Sequence, residues 1–146
     1  MNVSDIMTTD VVTIDVDATV ADALEIFHDL PIRHLPVVSA SGELVGMISD
    51  RDLRSLGLAA LVTSDRSEEL VAKLQAKVTT VMSADVFCVT PESDVVDVID
   101  LLLEEKVGAV PVVEEHEDEL VGMVSYVDVL RAIREEMEES EQSEED

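Results

Sequence analysis

The chain states one pattern twice. Residues Val3 to Val38 align without a gap on Val78 to Val113 at a constant offset of 75. The identities are Val3/Val78, Met7/Met82, Asp10/Asp85, Val11/Val86, Val20/Val95, Asp22/Asp97 and the triplet Pro36-Val37-Val38 on Pro111-Val112-Val113. One extra residue in the loop Glu-Glu-His-Glu-Asp-Glu moves the offset to 76. Leu44-Val45-Gly46-Met47 then falls on Leu120-Val121-Gly122-Met123, Ser49 on Ser125 and Asp52 on Asp128. A repeat of this length is a structural unit used twice, and the fold has to accommodate both copies.

Each copy reads as β-α-β-β-α. Val11 to Ile14 is a short β-branched run that predicts a strand. Thr19 is placed to cap the following helix, which carries Val20, Ala23, Leu24 and Phe27 on one face. In the second copy Asp94 takes the capping place, before Val95, Val98, Ile99 and Leu102. Two strands follow, Leu35–Val38 and Leu44–Ile48, joined by Ser-Ala-Ser-Gly, and a helix opens at Ser49 or Asp50. Half a sheet with helices on one face cannot cover itself at this size. The expected fold is therefore α/β (α+β), two repeats packed sheet to sheet with pseudo-twofold symmetry around a shared core. The expected divisions are 1–60 for the first repeat, 61–76 for a linker with a helix capped by Ser67, 77–135 for the second repeat, and 136–146 for an acidic, disordered tail.

Composition narrows the function classes. With 34 acidic and nine basic residues the formal charge is −25, yet 47% of the chain is hydrophobic, so a core is built. A charge of this sign repels a phosphate backbone and an anionic bilayer, which excludes nucleic acid and membrane surfaces as partners. Aromatic residues make up 2%, too few for a base-stacking platform. No apolar run reaches the ~20 residues that cross a bilayer, and Met-Asn-Val-Ser-Asp-Ile-Met opens no signal peptide, so a soluble, cytoplasmic protein is expected. The acids are spread along the chain and lysine is scarce, the pattern of a halophilic protein from a high-salt cytoplasm. Self-repulsion would then be screened over a Debye length of ~3 Å in molar salt. The single cysteine, Cys88, reads as a small buried core residue. His28 reads as a surface residue and His116 as part of a solvated turn. No metal site, P-loop or nucleophile with its base stands out.

The informative block is Gly-Met-Ile-Ser-Asp-Arg-Asp (46–52) with its copy Gly-Met-Val-Ser-Tyr-Val-Asp (122–128). In each, a strand ends in a serine at a helix start, and an aspartate follows one turn later. Hydroxyl and backbone N–H groups there suit an anion, and the carboxylate can accept both hydroxyls of a ribose. Ser-x-x-Asp is equally a helix-capping arrangement that requires no ligand. Repetition does not decide between the two. Three of the nine basic residues, Arg33, Arg51 and Arg54, fall beside the first motif. They form either a local anion site or ordinary surface ion pairs.

The paired β-α-β-β-α units, the Pro-Val-Val strand and the Ser-x-x-Asp ending resemble a tandem pair of cystathionine-β-synthase (CBS) domains, the Bateman module. The segment from Ile32 to Leu53 is similar to the central stretch of stand-alone CBS-pair proteins of the acetoin-utilisation type. The resemblance covers roughly residues 1–135, and no appended catalytic, channel or DNA-binding domain is expected.

It implies a non-catalytic module with no resident cofactor, whose ligand is AMP, ADP, ATP or S-adenosylmethionine, with or without magnesium. The resemblance places that ligand in clefts between the repeats. On the family pattern Asp52 and Asp128 hold ribose hydroxyls, and Ser49 and Ser125 lie near phosphate or ribose. Arg33 and His34, before the Leu-Pro-Val strand, reach phosphates, and Arg51 within the first motif is a further candidate ligand-binding residue. Thr13, Ile14, Leu35, Pro36, Val110 and Pro111 would flank the adenine. The second copy has Gly108, Ala109 and Val127 where the first has Arg33, His34 and Arg51, so the two sites are expected to differ. The family also implies a disc-like homodimer through the helices and a regulated partner protein that sequence does not identify. A ligand-free dimerisation or scaffold module is the alternative.

Overall fold

Both copies of the repeat fold by the same local rules. The computed structural model describes residues 1–145, as β1 (Ile14–Asp15), α1 (Val20–Asp29), β2 (His34–Val38), β3 (Leu44–Ser49), α2 (Asp50–Arg54), α3 (Leu58–Thr63), α4 (Ser67–Gln75), α5 (Val95–Glu104), β4 (Ala109–Val113), β5 (Leu120–Ser125) and α6 (Tyr126–Glu145). Thr19 caps α1: its hydroxyl accepts the Asp22 N–H at 3.3 Å, and the Asp22 carboxylate accepts the Thr19 N–H at 2.9 Å. Asp94 caps α5 through the Val96 N–H at 2.9 Å. The apolar faces of both helices turn inward, with Val20, Ala23 and Val98 wholly buried.

The predicted strand at Val11–Ile14 is shorter and later than expected, and a proline explains it. β1 runs parallel to β2 with Ile14 opposite Val37. That register sets Val12 opposite Leu35, where the next ladder bond would need an N–H from Pro36, which has none. The second copy repeats the limit at Pro111: only Val89 pairs, in parallel, with Val112. The following pairs, β2 with β3 and β4 with β5, are antiparallel and match the two predicted hairpins.

The compact units do not follow the repeat boundaries. One comprises Val12–Val86; the other joins Met1–Val11 to the residues from Phe87 onward. Within the first unit, Ser83 exchanges backbone hydrogen bonds with Met47 of β3 at 2.9 and 3.0 Å, and Val78 donates to the Ala18 carbonyl at 2.9 Å. Within the other, Thr8 and Met123 of β5 exchange two bonds of 2.9 Å, and Val3 donates to Ser93 at 2.8 Å. The lead-in of each repeat is thus built into the sheet of the other repeat's body. Val3 and Val78, fully buried, anchor the two lead-ins in separate apolar clusters.

Glycine makes this possible at two equivalent positions. A Cβ on Gly46 would run into the Met82 sulfur and come within 3.0 Å of the Ser83 carbonyl. On Gly122 it would meet the Met7 sulfur at 2.8 Å and the Thr8 carbonyl at 3.0 Å. Each bare strand position leaves room for a methionine side chain against it and for the lead-in backbone to pair with the strand.

Three further expectations meet a different structure. Cys88 is exposed. Successive strand residues face opposite ways, and its neighbour Val89 takes the core position; at offset 75 Cys88 corresponds to Thr13, also exposed. Partial burial of the Cys88 sulfur pushes its thiol pKa up, and the charge on Asp118 adds to this, which keeps it protonated. Two helices stand where one was expected: α3, entered through Gly57 at φ 66°, straddles the expected boundary at residue 60, and α4 starts at Ser67 with Arg66 in the cap position. The segment from 136, expected to lose order, continues α6 to Glu145. It contains no proline or glycine, and its glutamates are good helix formers. No helix among the described residues is long and apolar enough to cross a membrane.

Candidate functional site

The serine and aspartate of each motif form a reciprocal capping box. At the end of β3, Ser49 donates its N–H to Asp52 Oδ2 at 2.8 Å and its hydroxyl accepts the Asp52 N–H at 3.1 Å. At the end of β5, Ser125 donates its N–H to Asp128 Oδ2 at 2.9 Å, its hydroxyl lies 3.1 Å from the same oxygen, and the Asp128 N–H returns to Ser125 Oγ at 3.2 Å. The capping reading is therefore correct as local structure. It does not exhaust the carboxylate, because Asp52 uses only Oδ2; no hydrogen bond or ion pair from a described residue reaches its Oδ1.

Register brings His34 to the same place. The first residue of β2 lies opposite Ser49, and the backbone before it is tied to the helix start, where Asp50 donates its N–H to the Arg33 carbonyl at 2.9 Å. The second copy makes the same bond from Tyr126 to Gly108 at 3.2 Å and puts Ala109 opposite Ser125. Burial lowers the His34 pKa from its ordinary 6.5; the Asp52 carboxylate pulls it up and the Arg33 guanidinium pushes it down. Near neutral pH the ring is uncharged.

A stability effect follows with a definite sign. Below pH 6.5 the unfolded chain takes a proton at His34 before the folded chain does, so the folded state loses stability there as pH falls. We expect the His34 contribution to be complete above that pH. The denaturation midpoint of the native chain should fall relative to that of H34Q between pH 7.5 and 5.5 as the His34 penalty enters. A constant gap would mean that His34 titrates alike in both states.

The arginines beside the first motif separate into two kinds. Arg54 reaches Asp50 at 3.4 Å, an exposed pair one turn apart. Arg33 and Arg51 are exposed and make no ion pair among the described residues. Ser49, Asp52, His34 and these two arginines all belong to the Val12–Val86 unit, whereas Ser125, Asp128, Val110 and Pro111 belong to the other. The residues expected to flank an adenine divide again. Thr13 is exposed, but Ile14, Leu35 and Val110 are members of the apolar clusters, and Pro36 and Pro111 are fully buried. β2 and β4 are covered on both faces, so these side chains are committed to packing and present almost no surface.

The sequence reading passed over Arg131. One turn beyond Asp128, its guanidinium lies 3.5 Å from Asp128 Oδ1, the oxygen that stays open in Asp52. At offset 76 its counterpart is Ser55, whose hydroxyl donates instead to the Asp52 carbonyl at 2.6 Å. The repeat alignment already held this signal.

Residues 3–58 and 78–135 match the sequence profile of the CBS domain. A CBS domain-containing protein of Dictyostelium discoideum is 33% identical over 129 residues, which cover 88% of each chain. Among solved structures, a protein ascribed to acetoin utilization in Vibrio cholerae superposes with a TM-score of 0.77 at 30% identity, covering 97% of this chain and 96% of that one. The structure of CBSX2 in complex with AMP superposes at 0.75, again at 30% identity, covering 92% and 96%. Several curated relatives, some named as enzymes, are much longer, and the chain spans 21% to 24% of their length.

Proposed function

The chain belongs to the CBS domain family, and on that footing we propose that it is a non-catalytic regulatory module that binds an adenosine compound through its Ser-x-x-Asp motifs. The observation that carries this reading is the open Oδ1 of Asp52, a charged acceptor held in place by its own capping box. A fixed carboxylate edge suits the vicinal hydroxyls of a ribose, because charge-assisted hydrogen bonds are the stronger kind. Arg33 and Arg51, with no carboxylate partner among the described residues, supply the local positive charge that a phosphate needs in a chain of net −25. The AMP complex of a relative at 30% identity supports the same class of ligand. AMP, ADP, ATP and S-adenosylmethionine are the candidates, with magnesium serving the polyphosphates by offsetting charge.

The module acts by being read. A ligand that binds one conformation better than another shifts the population, and a partner protein responds to the favoured one. The exposed apolar residues Val127, Leu130, Ile133 and Met137 along α6 support a homodimer as the functional form. The acidic surface supports a high-salt cytoplasm as its setting.

Thermal melting in molar KCl tests the reading, with each candidate ligand, with and without magnesium. A ligand at 100 times its Kd should stabilise the chain by about 2.7 kcal/mol, a shift of several degrees. Flat curves on folded protein would favour the ligand-free scaffold, for which the capping boxes themselves are the specific observation.

A further inference from the structure

Asp52 and Asp128 occupy equivalent places in the repeat, yet their carboxylates are in different states. Asp52 engages one oxygen and leaves the other open. Asp128 has both engaged: Oδ2 by the Ser125 backbone and hydroxyl, Oδ1 by Arg131. We infer that Arg131 is a specificity-determining residue that stands where a ligand's diol would bind at Asp128, so that the two motifs hold a nucleoside unequally and the Asp52 motif is the tighter. The inference rests on the proposed adenosine function and deepens it.

Ligand and guanidinium compete for one oxygen. A vicinal diol donates two hydrogen bonds and needs acceptor capacity on the carboxylate edge. At Asp52 that capacity is present before the ligand arrives. At Asp128 the Arg131 guanidinium stands 3.5 Å from Oδ1, an ion pair rather than a hydrogen bond, and a diol reaching that edge has to push it aside on a carboxylate whose side chain is 14% exposed. The Arg131 side chain is itself 56% exposed, so the displaced group returns to water and the cost stays modest. The repeat supplies its own control, since Ser55 at the equivalent position turns away to a backbone carbonyl and leaves Asp52 open.

Calorimetric titration of the full chain with adenosine tests this, because adenosine carries the diol and no phosphate that Arg131 could bind. The native chain should show one stronger and one weaker site, and D52A should remove the stronger. In the D52A background, R131S should strengthen the remaining site by roughly two- to fivefold, the range of a partly exposed ion pair. S55R in the native background should weaken the stronger site by a similar factor. Melting curves of each variant establish that it is folded. The inference is overturned if R131S leaves the remaining site unchanged, weaker or undetectable. If the native chain binds neither adenosine nor AMP, the proposed function fails, and the inference fails with it.

Discussion

Nucleotide affinity should fall by about a hundredfold or more at each motif when Asp52 and Asp128 are replaced by alanine, to the point where the double variant shows no binding in the millimolar range. A carboxylate that accepts two hydroxyls contributes two charge-assisted hydrogen bonds, each about 1.5–3 kcal/mol, and alanine restores neither. The same substitution opens the capping box, at a cost of about 1 kcal/mol per helix start. Loss of binding has to be separated from loss of fold. Asp52→Asn makes the separation: the amide oxygen still accepts the Ser49 N–H that now reaches Oδ2 at 2.8 Å, but the negative charge is gone. Its melting temperature should stay close to that of the native chain while affinity drops. If D52N binds every adenosine compound as well as the native chain does, the carboxylate is a cap only. The scaffold reading would then replace the sensor.

Gly122→Val should be among the most damaging single substitutions for stability. The first added atom would already lie 2.8 Å from the Met7 sulfur and 3.0 Å from the Thr8 carbonyl. The methionine can swing away, but the carbonyl cannot, because Thr8 is held by two hydrogen bonds to Met123. Overpacking of this kind costs about 1–3 kcal/mol, and a branched side chain on a position backed by backbone belongs at the upper end. Chemical denaturation measures it, and M7A provides the control. Combining M7A with G122V should recover part of the loss, since two residues in contact do not add independently. Strict additivity would show that the lead-in does not lie against β5 as described. Gly46→Val should behave in the same way against Met82 and Ser83.

The fold was legible where local chemistry decides it. Thr19, Asp94, Ser49 and Ser125 are side chains whose hydrogen bonds form within a few residues, so the helix starts they set could be read from the string. The two hairpins were equally plain, because two short, β-branched apolar runs joined by a turn pair with each other. The candidate site was legible in the same measure. Asp52 and Asp128 stand out because the repeat prints them twice in one context. What stayed hidden was the state of each carboxylate, which depends on where a neighbouring arginine swings.

Three decisions belonged to tertiary structure. Cys88 and Thr13 lie outside the core because Val89 and Ile14 took the inward positions, and a four-residue apolar run does not say which phase of its alternation faces in. Leu35 and Val110 were spent on packing because β2 and β4 are covered on both faces, a property of the whole sheet and not of five residues, and Ile14 packs into the same cluster as Leu35. The exchange of lead-ins builds Met1–Val11 onto the second repeat's body, joining segments more than 75 residues apart. The sequence by itself determined a unit of strand, helix and hairpin, used twice, with a capping carboxylate at its end. Which copy's lead-in completes which sheet was left open, because Val3 and Val78, Met7 and Met82, Gly46 and Gly122 are identical residues. Identical residues carry no preference between partners; only the reach of the connecting chain and the packing of the finished core supply one.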